Sequence, residues 1–506
     1  LIINSATVDL KALPPAHREW VYNNLDCCIT HEVKSVIEQH LDVKTQRVYN
    51  FERALQGPAL QMMMRGIAVD PAVRSQAITK YALDGERVNA IFQAECEAIT
   101  GSPLNPRSTK QLKALFYEHL HCPPIYRFTK GKRRLTTDRD ALDILEAYFY
   151  AQPFVVCIKA LRDIDKKLQT LRVGIERGRI YTSYNVGATE TGRWSSSKNV
   201  RGKGMSFHTV TDELRRMLIP DLGNKLGYLD LEQAESQAVA FRCNDHNYIM
   251  AHATGDLHTT VAKMIWPDKD PHAIAYRHFT YRDLAKRCGH ATNYGATPYT
   301  LAKTLKIELG LAEEFQRLYF IRFPGIKDWH HRIARQLTTK GYMVTFMGRR
   351  RTFFGRLDDD ATLREAIAYE PQSVVADILN LGLFRVWRDL DPKSLTLCGQ
   401  VHDAILVQYK NYAENVVIPK ALQLMEIPVK VGKREMLIEV DAAVGYNWAK
   451  ADPKHKIFAD GNPGGLASWR DVKRGKVKQK APKKIPLLDQ RISAIYAKHR
   501  GSGDIL

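Results

Sequence analysis

Residues 399–409 read GQVHDAILVQY, an apolar run interrupted by His402 and Asp403. Val401, Ile405 and Val407, with Leu406 between them, are side chains that suit a pleated, buried surface. An imidazole and a carboxylate inside such a run leave few folds open. The chain must turn there as a tight hairpin, with the carboxylate either wet or paired with positive charge. Taken alone, Asp403 reads best as a turn residue bonded to its own backbone. A second acid in a similar setting changes that reading. In GYLDLEQAESQAVAF (227–241), Tyr228 to Leu231 read as a strand and the following residues as a helix. Asp230 therefore stands where a buried strand ends, and Glu235 falls on the first turns of the helix behind it. Two carboxylates brought together repel unless cations lie between them. Mg²⁺ suits that role, because it takes oxygen ligands, tolerates one or two carboxylates and fills its other positions with water and phosphate. Two such ions about 4 Å apart activate a hydroxyl nucleophile and stabilise a leaving phosphate.

A third stretch, YRDLAKRCGHATNYG (281–295), places Arg282, Lys286, His290 and Tyr294 four residues apart. On a helix each step drifts by only about 40°, so the four share one slowly rotating face about 18 Å long. A solvated basic stripe would not change in order from cation to imidazole to phenol. A nucleoside triphosphate laid lengthwise would match that order, with phosphates at Arg282 and Lys286, sugar near His290 and base near Tyr294. Gly295 would let the backbone approach a template base. The charge balance agrees. Lys and Arg total 75 against 55 acids, a net +20, which favours a polyanionic partner. Residues 451–506 carry 13 basic and 5 acidic side chains, leaving +8 in the tail and +12 in the body.

At 506 residues the chain exceeds a single core, and two or more subdomains are expected. No apolar run approaches the roughly 18–20 residues that cross a membrane, and no membrane partner is expected. The eight cysteines are scattered without a C-x-x-C pair, which fits a reducing, intracellular compartment. Helices are expected over most of 72–170, broken by TGSPLNPRSTKQL and by the basic loop TKGKRR (129–134), and again over 246–340. Strands and loops are expected over 179–245, and strand signals return from 341, with a helix at roughly 362–388. After Trp448, NPGG and KRGKVKQKAPKK read as a flexible linker. A short amphipathic helix with Leu488, Ile492, Ile495 and Tyr496 on one side is expected beyond it.

In order, DLEQAE, R-x3-K-x7-YG and VHDA resemble the three motifs of the family A DNA polymerases, the DNA polymerase I family. LQMMMRGIAVD, NPRSTKQL, TGRWSSS, DLHTTVA, RFPGIKDW, GYMVTFMGRRR and REAIAYEPQSVVAD follow the same family order. The similarity covers about residues 50–450. It implies an α+β right hand: an antiparallel palm at about 50–71, 171–245 and 361–450, a helical thumb at about 72–170, and helical fingers at about 246–360. The activity it implies is template-directed extension of a primer with deoxynucleoside triphosphates.

Carried over by position, Asp230 and Asp403 are the metal carboxylates, helped by the Leu231 carbonyl. Two Mg²⁺ ions are implied, with Mn²⁺ as a substitute. Arg282 and Lys286 hold the triphosphate, Lys286 protonates the leaving pyrophosphate, and His402 contacts the primer end or the triphosphate. Glu235 excludes a ribose 2′-hydroxyl. Arg193, Arg364 and Gln372 read minor-groove acceptors, which are common to every Watson–Crick pair. Lys130, Lys132, Arg133 and Arg134 grip phosphates of the primer–template. The chain departs from the family at Ala404, where Glu is usual, at Leu231 for an aromatic, at Ala368 for Asn, and at His290 for Phe or Tyr.

YNNLD, with Tyr22 and Asp26, resembles the last motif of a 3′–5′ exonuclease, so residues 1–49 are expected to be a remnant of that domain. Without the earlier acidic motifs no proofreading is expected from these residues. The basic tail, 451–506, is expected to dock on the protein itself or on a replication partner. Two rivals stand beside the polymerase reading. A single-subunit RNA polymerase shares the R-x3-K and YG features, and Glu235 argues against it. A catalytically dead DNA-binding scaffold has no need of Asp230, Asp403, Arg282 and Lys286 together.

Overall fold

The computed structural model describes residues 12–129, 131–199, 202–451 and 460–479. The chain opens with two helices, α1 (Pro15–Gln39) and α2 (Val43–Arg65), and continues into α3 (Pro71–Thr100). Asp42 and Asp70 cap the second and third by accepting backbone N–H bonds in their first turns. The strands β1 (Tyr126–Thr129) and β2 (Lys132–Leu135) form a hairpin before the long helix α4 (Gln152–Leu171). Helices α3 and α4, with the segment between them, close around Phe92, Leu112, Phe116, Leu145 and Ile158. The expected basic loop is therefore a two-stranded ribbon. Apolar and cationic residues alternate in its first strand, Tyr126-Arg127-Phe128, just outside the stretch that was read for charge.

Next come β3 (Asn224–Leu231), α5 (Ala234–Cys243), α6 (Leu257–Ile265), α7 (Tyr281–Asn293), α8 (Leu309–Arg322), α9 (Pro324–Lys340) and α10 (Asp360–Asp389). Helices α5 to α9 and the start of α10 enclose a second helical core around Tyr248, Phe315, Tyr319, Phe323 and Trp329. Last come β4 (Leu395–Val401), β5 (Ala404–Lys410), β6 (Val440–Gly445), β7 (Ala467–Ser468) and α11 (Trp469–Lys473). The strands β4-β5-β3-β6-β7 make one antiparallel sheet in that order.

That sheet is covered on both faces, which explains why AILV shows no alternation. Leu229, Leu231, Ile405 and Val407 pack under α10 with Val374, Ile378 and Leu379. Leu226, Val401 and Leu406 pack on the other side with Phe207 and Trp448. One buried ion cluster fastens α2 and α10 to the loop before β3. Arg349 donates to Asp377 at 2.7 Å and to Glu52. Its guanidinium lies against Gly192, where φ is +80° and an added Cβ would come within 2.6 Å of the guanidinium carbon. Asn380 donates to the Gly192 carbonyl at 3.1 Å, so the turn just before Arg193 is held from two sides.

The linker reading of the tail fails for residues 460–479. Strand β7 extends the sheet, pairing Ser468 with Ala443 and Ala467 with Val444. Asn462 is buried and exchanges amide hydrogen bonds with Asn447, and Trp469 is buried at the start of α11. Gly and Pro here mark tight packing around a short strand, where composition alone suggested slack chain. The expected helix at 488–496 and Lys130 lie outside the described residues. All eight cysteines are free, and six are buried. Among the described residues, no helix is long and apolar enough to cross a membrane.

A chain ended at Ala451 loses β7 and the buried Leu466 and Trp469. It is expected to melt several degrees below the full chain in scanning calorimetry. An unchanged melting temperature would restore the linker reading.

Candidate active site

Asp230 is the penultimate residue of the central strand. Register pairs it with Ala404 on one side and Asp441 on the other. Asp403 follows His402 in the two-residue turn between β4 and β5. His402 takes φ of +56°, the left-handed value that such a turn needs at its first position. The Asp403 carbonyl accepts from Leu231 N–H at 3.1 Å, which pins the turn beside the end of β3. The two carboxylates thus meet at one end of a sheet whose interior is apolar. The Asp403 side chain bonds Arg193, whose guanidinium donates to it at 3.2 Å; it makes no turn of its own.

The opposite wall is α7. A capping box starts it: Thr280 Oγ1 accepts from Asp283 N–H at 3.1 Å while the Asp283 carboxylate accepts from Thr280 N–H at 3.2 Å. Leu284, Ala285, Cys288, Gly289 and Thr292 form its buried side. Arg282, Lys286 and His290 look out from the other side into a cleft of about 720 Å³, which Asp230, Leu231, Glu235, His402 and Asp403 also line. The stripe therefore faces carboxylates across a cavity. Tyr294 caps the C-terminus of α7, and its ring meets His290 edge-on at 5.0 Å. The Tyr294 hydroxyl and Arg193 both donate to Glu235, so that carboxylate is held from two sides.

Electrostatics follow from this crowding. The Asp230 carboxylate opens to the cleft, yet the surrounding protein removes much of its water. That desolvation, and then the Asp403 charge, push it up to about 6, with Lys450 opposing and Asp441 adding. Asp403 is raised as well, by burial first, against the pull of Arg193. His402 is lowered by burial and by Arg215. Burial and the neighbouring Lys286 and Arg282 push His258 down to about 4, so it stands neutral near the cationic stripe. At the head of α7, Arg282 lies 3.1 and 3.2 Å from the Asp256 oxygens. Its hydrogen bonds outweigh partial burial and hold Asp256 well below the usual carboxylate range.

The remaining expected residues scatter around this centre. Gly295 has φ of +74°, and a Cβ there would sit 3.3 Å from Ile367 and 3.5 Å from Arg364 on α10. Arg364 is exposed and Gln372 half-buried on that helix. Lys132, Arg133 and Arg134 are exposed on β2, away from the cleft lining. Tyr22 and Asp26 are exposed on α1. Residue-by-residue reading passed over Asp256 and His258, although DLHTTVA was matched as a motif. Asp256 caps α6, accepting from Thr259 N–H at 3.2 Å and from its hydroxyl at 2.8 Å. The Asp-x-x-Thr spacing is a cap signature that could have placed both residues at a helix start beside α7. Asp441 was missed because nothing in the sequence states which strand neighbours β3.

Two helical units flank a sheet whose end carries the paired carboxylates, and that plan is the right hand of a nucleic-acid polymerase. Comparison makes the family particular. The model of DNA polymerase family A matches residues 77–450, and the chain belongs to that family. A thermostable DNA polymerase I of Thermus filiformis is 28% identical over 414 residues, 79% of this chain and 48% of that protein. DNA polymerase I of Deinococcus radiodurans is 26% identical over 452 residues, covering 85% and 45%. The chain spans about half the length of the curated relatives it matches. Among solved structures, the POL domain of Pol1 from M. smegmatis, in complex with DNA primer-template and dNTP, has a TM-score of 0.67 at 26% identity. That match covers 78% of this chain and 70% of the other.

A carboxylate whose pKa is raised on folding costs stability once the unfolded chain ionises first. The cost grows from about pH 4 to pH 6 and then persists. Asp230→Asn, assayed with a chelator present, is expected to melt with the wild type at pH 4 and above it at pH 7. A variant melting lower at pH 7 would show that the partners of Asp230 outweigh its desolvation.

Proposed function

We propose that this chain extends a primer 3′ end on a DNA template with deoxynucleoside triphosphates. The observation that carries the reading is the single cleft in which Asp230 and Asp403 face Arg282, Lys286 and His290. A cleft with anions on one wall and cations on the other suits a substrate that carries both a metal-bridged reacting centre and free phosphate charge. The ranges in this reading are a palm at about 50–71, 171–245 and 361–450, a thumb at about 72–170 and fingers at about 246–360. Primer–template DNA is the proposed partner, in an intracellular setting. Residues 1–49 are read as an exonuclease remnant without proofreading. The basic 451–506 segment is read as available to a replication partner apart from 460–479, which pack on the sheet.

The donor set fits Mg²⁺. Asp230 and Asp403 offer hard oxygens, the Leu231 carbonyl adds another, and the raised carboxylates gain from an added cation. Among the described residues no three His, Cys, Asp or Glu side chains converge into a closed metal cage. Water and phosphate oxygens would complete such a shell. When bound, two ions supply Lewis acidity at the attacking hydroxyl and the leaving oxygen. The protein's own groups do the rest. Arg282 and Lys286 orient the triphosphate along α7, and Lys286 delivers a proton to the leaving pyrophosphate. Glu235 occupies the space beside the sugar, and its two donors keep it from swinging aside for a 2′-hydroxyl. His290 and Tyr294 border the sugar and base, while Arg193, Arg364 and Gln372 test pair shape from the minor groove.

Primer extension with Mg²⁺ tests the reading: growth with dNTPs, none with rNTPs, and no shortening when nucleotides are omitted. Asp230→Asn and Asp403→Asn are each expected to lower incorporation on the order of 10³-fold, about 4 kcal/mol of barrier. Both should keep primer–template affinity by anisotropy. Near-normal turnover in either variant would sink the site assignment. Glu235→Ala is expected to raise rNTP incorporation relative to dNTP, and an unchanged ratio would remove Glu235 from sugar selection.

A further inference from the structure

The ribbon β1–β2 carries a feature that phosphate gripping does not require. Its register sets Tyr126 opposite Leu135, Arg127 opposite Arg134 and Phe128 opposite Arg133. Opposed residues share a face and successive residues alternate. Tyr126, Phe128, Arg133 and Leu135 therefore lie on one side, and Arg127, Lys132 and Arg134 on the other. The second side carries three cations. On the first, the Arg133 guanidinium lies 3.9 Å over the Tyr126 ring, while Phe128 stands 74% exposed beside it.

A lone two-stranded ribbon is marginal in water, and this one is tied at its base. Tyr117 donates its hydroxyl proton to the Thr136 carbonyl at 2.6 Å, Thr136 N–H bonds the Ile125 carbonyl at 3.0 Å, and Arg127 pairs with Asp138 at 3.1 Å. The fastened ribbon thus presents a bare phenyl ring to solvent among four cations. A protein partner would need acidic cover for those cations as well as a pocket for the ring. Unpaired nucleic acid supplies both needs at once, because its phosphates meet the cations and its free base faces stack on aromatic rings and guanidinium planes. Bases inside a duplex have no free face to offer.

We propose that the Tyr126–Phe128–Arg133 face of the ribbon is a stacking platform for unpaired bases of a DNA strand, with the Arg127–Lys132–Arg134 face taking phosphates. The inference rests on the reading of the chain as a DNA polymerase and adds a single-stranded site outside the cleft. Anisotropy of the full chain with a labelled short oligothymidylate, and with a blunt duplex, tests it. Phe128→Ala is expected to lose about tenfold in affinity for the oligothymidylate and to keep its duplex affinity. Phe128→Trp should retain both. Phe128 is exposed, so folding is not at stake. Wild-type oligothymidylate binding by Phe128→Ala, or an equal loss on the duplex, would overturn the platform. The measurement needs no incorporation. A chain that extends no primer yet binds single strands through Phe128 would sink the polymerase reading and leave the platform standing.

Discussion

Two carboxylates held together at the end of an apolar sheet are the constraint around which the rest of this structure is arranged. Like charges at close range in a dehydrated place are unfavourable, and the raised Asp230 and Asp403 register that cost. Nothing in the sheet itself offsets it. Ala404, opposite Asp230, is fully buried and carries no charge, while Asp441 on the other flank adds one. Partial compensation comes from Arg193 and His402 beside Asp403 and from Lys450 beside Asp230. The loop bearing Arg193 is in turn fixed by the buried Arg349 cluster, so the position of that guanidinium depends on α2, α10 and the Gly192 turn together.

Helix α7 answers that constraint because its two sides do different jobs. Apolar and small residues seat it on Tyr319 and its neighbours, with Gly289 allowing close approach. Its outer residues are then free to be chosen for charge. The clamp of Tyr294 and Arg193 on Glu235 joins this helix to the sheet unit, so one carboxylate links both walls of the cleft.

Legibility in the sequence followed the range of the interaction. The hairpin at His402-Asp403, the strand end at Asp230 and the stripe Arg282–Lys286–His290–Tyr294 were readable because turn, strand end and helix face are local patterns. The family resemblance supplied their order, and the family match covers the same stretch. Pairings across long separations were not readable. Arg193 with Asp403 spans 210 positions, and Arg349 with Glu52 spans 297. The tail misled for a related reason: Gly465 and Pro463 look like slack chain until β6 is known to need an edge partner. Charge dominated the reading of KGKRR, and so the alternation of Tyr126, Arg127 and Phe128 just before it, which marks the first strand of the ribbon, went unread.

The pair between Arg282 and Asp256 has a consequence for what can enter the cleft. With Asp256 held far below the usual range, no physiological change in acidity loosens it. The pair is open to solvent, so its hold is weak and an anion in the cleft competes with Asp256 for Arg282. Loading this guanidinium is therefore a contest between one carboxylate and whatever anion comes into the cleft, weakened by salt and little changed by acidity because Asp256 stays ionised.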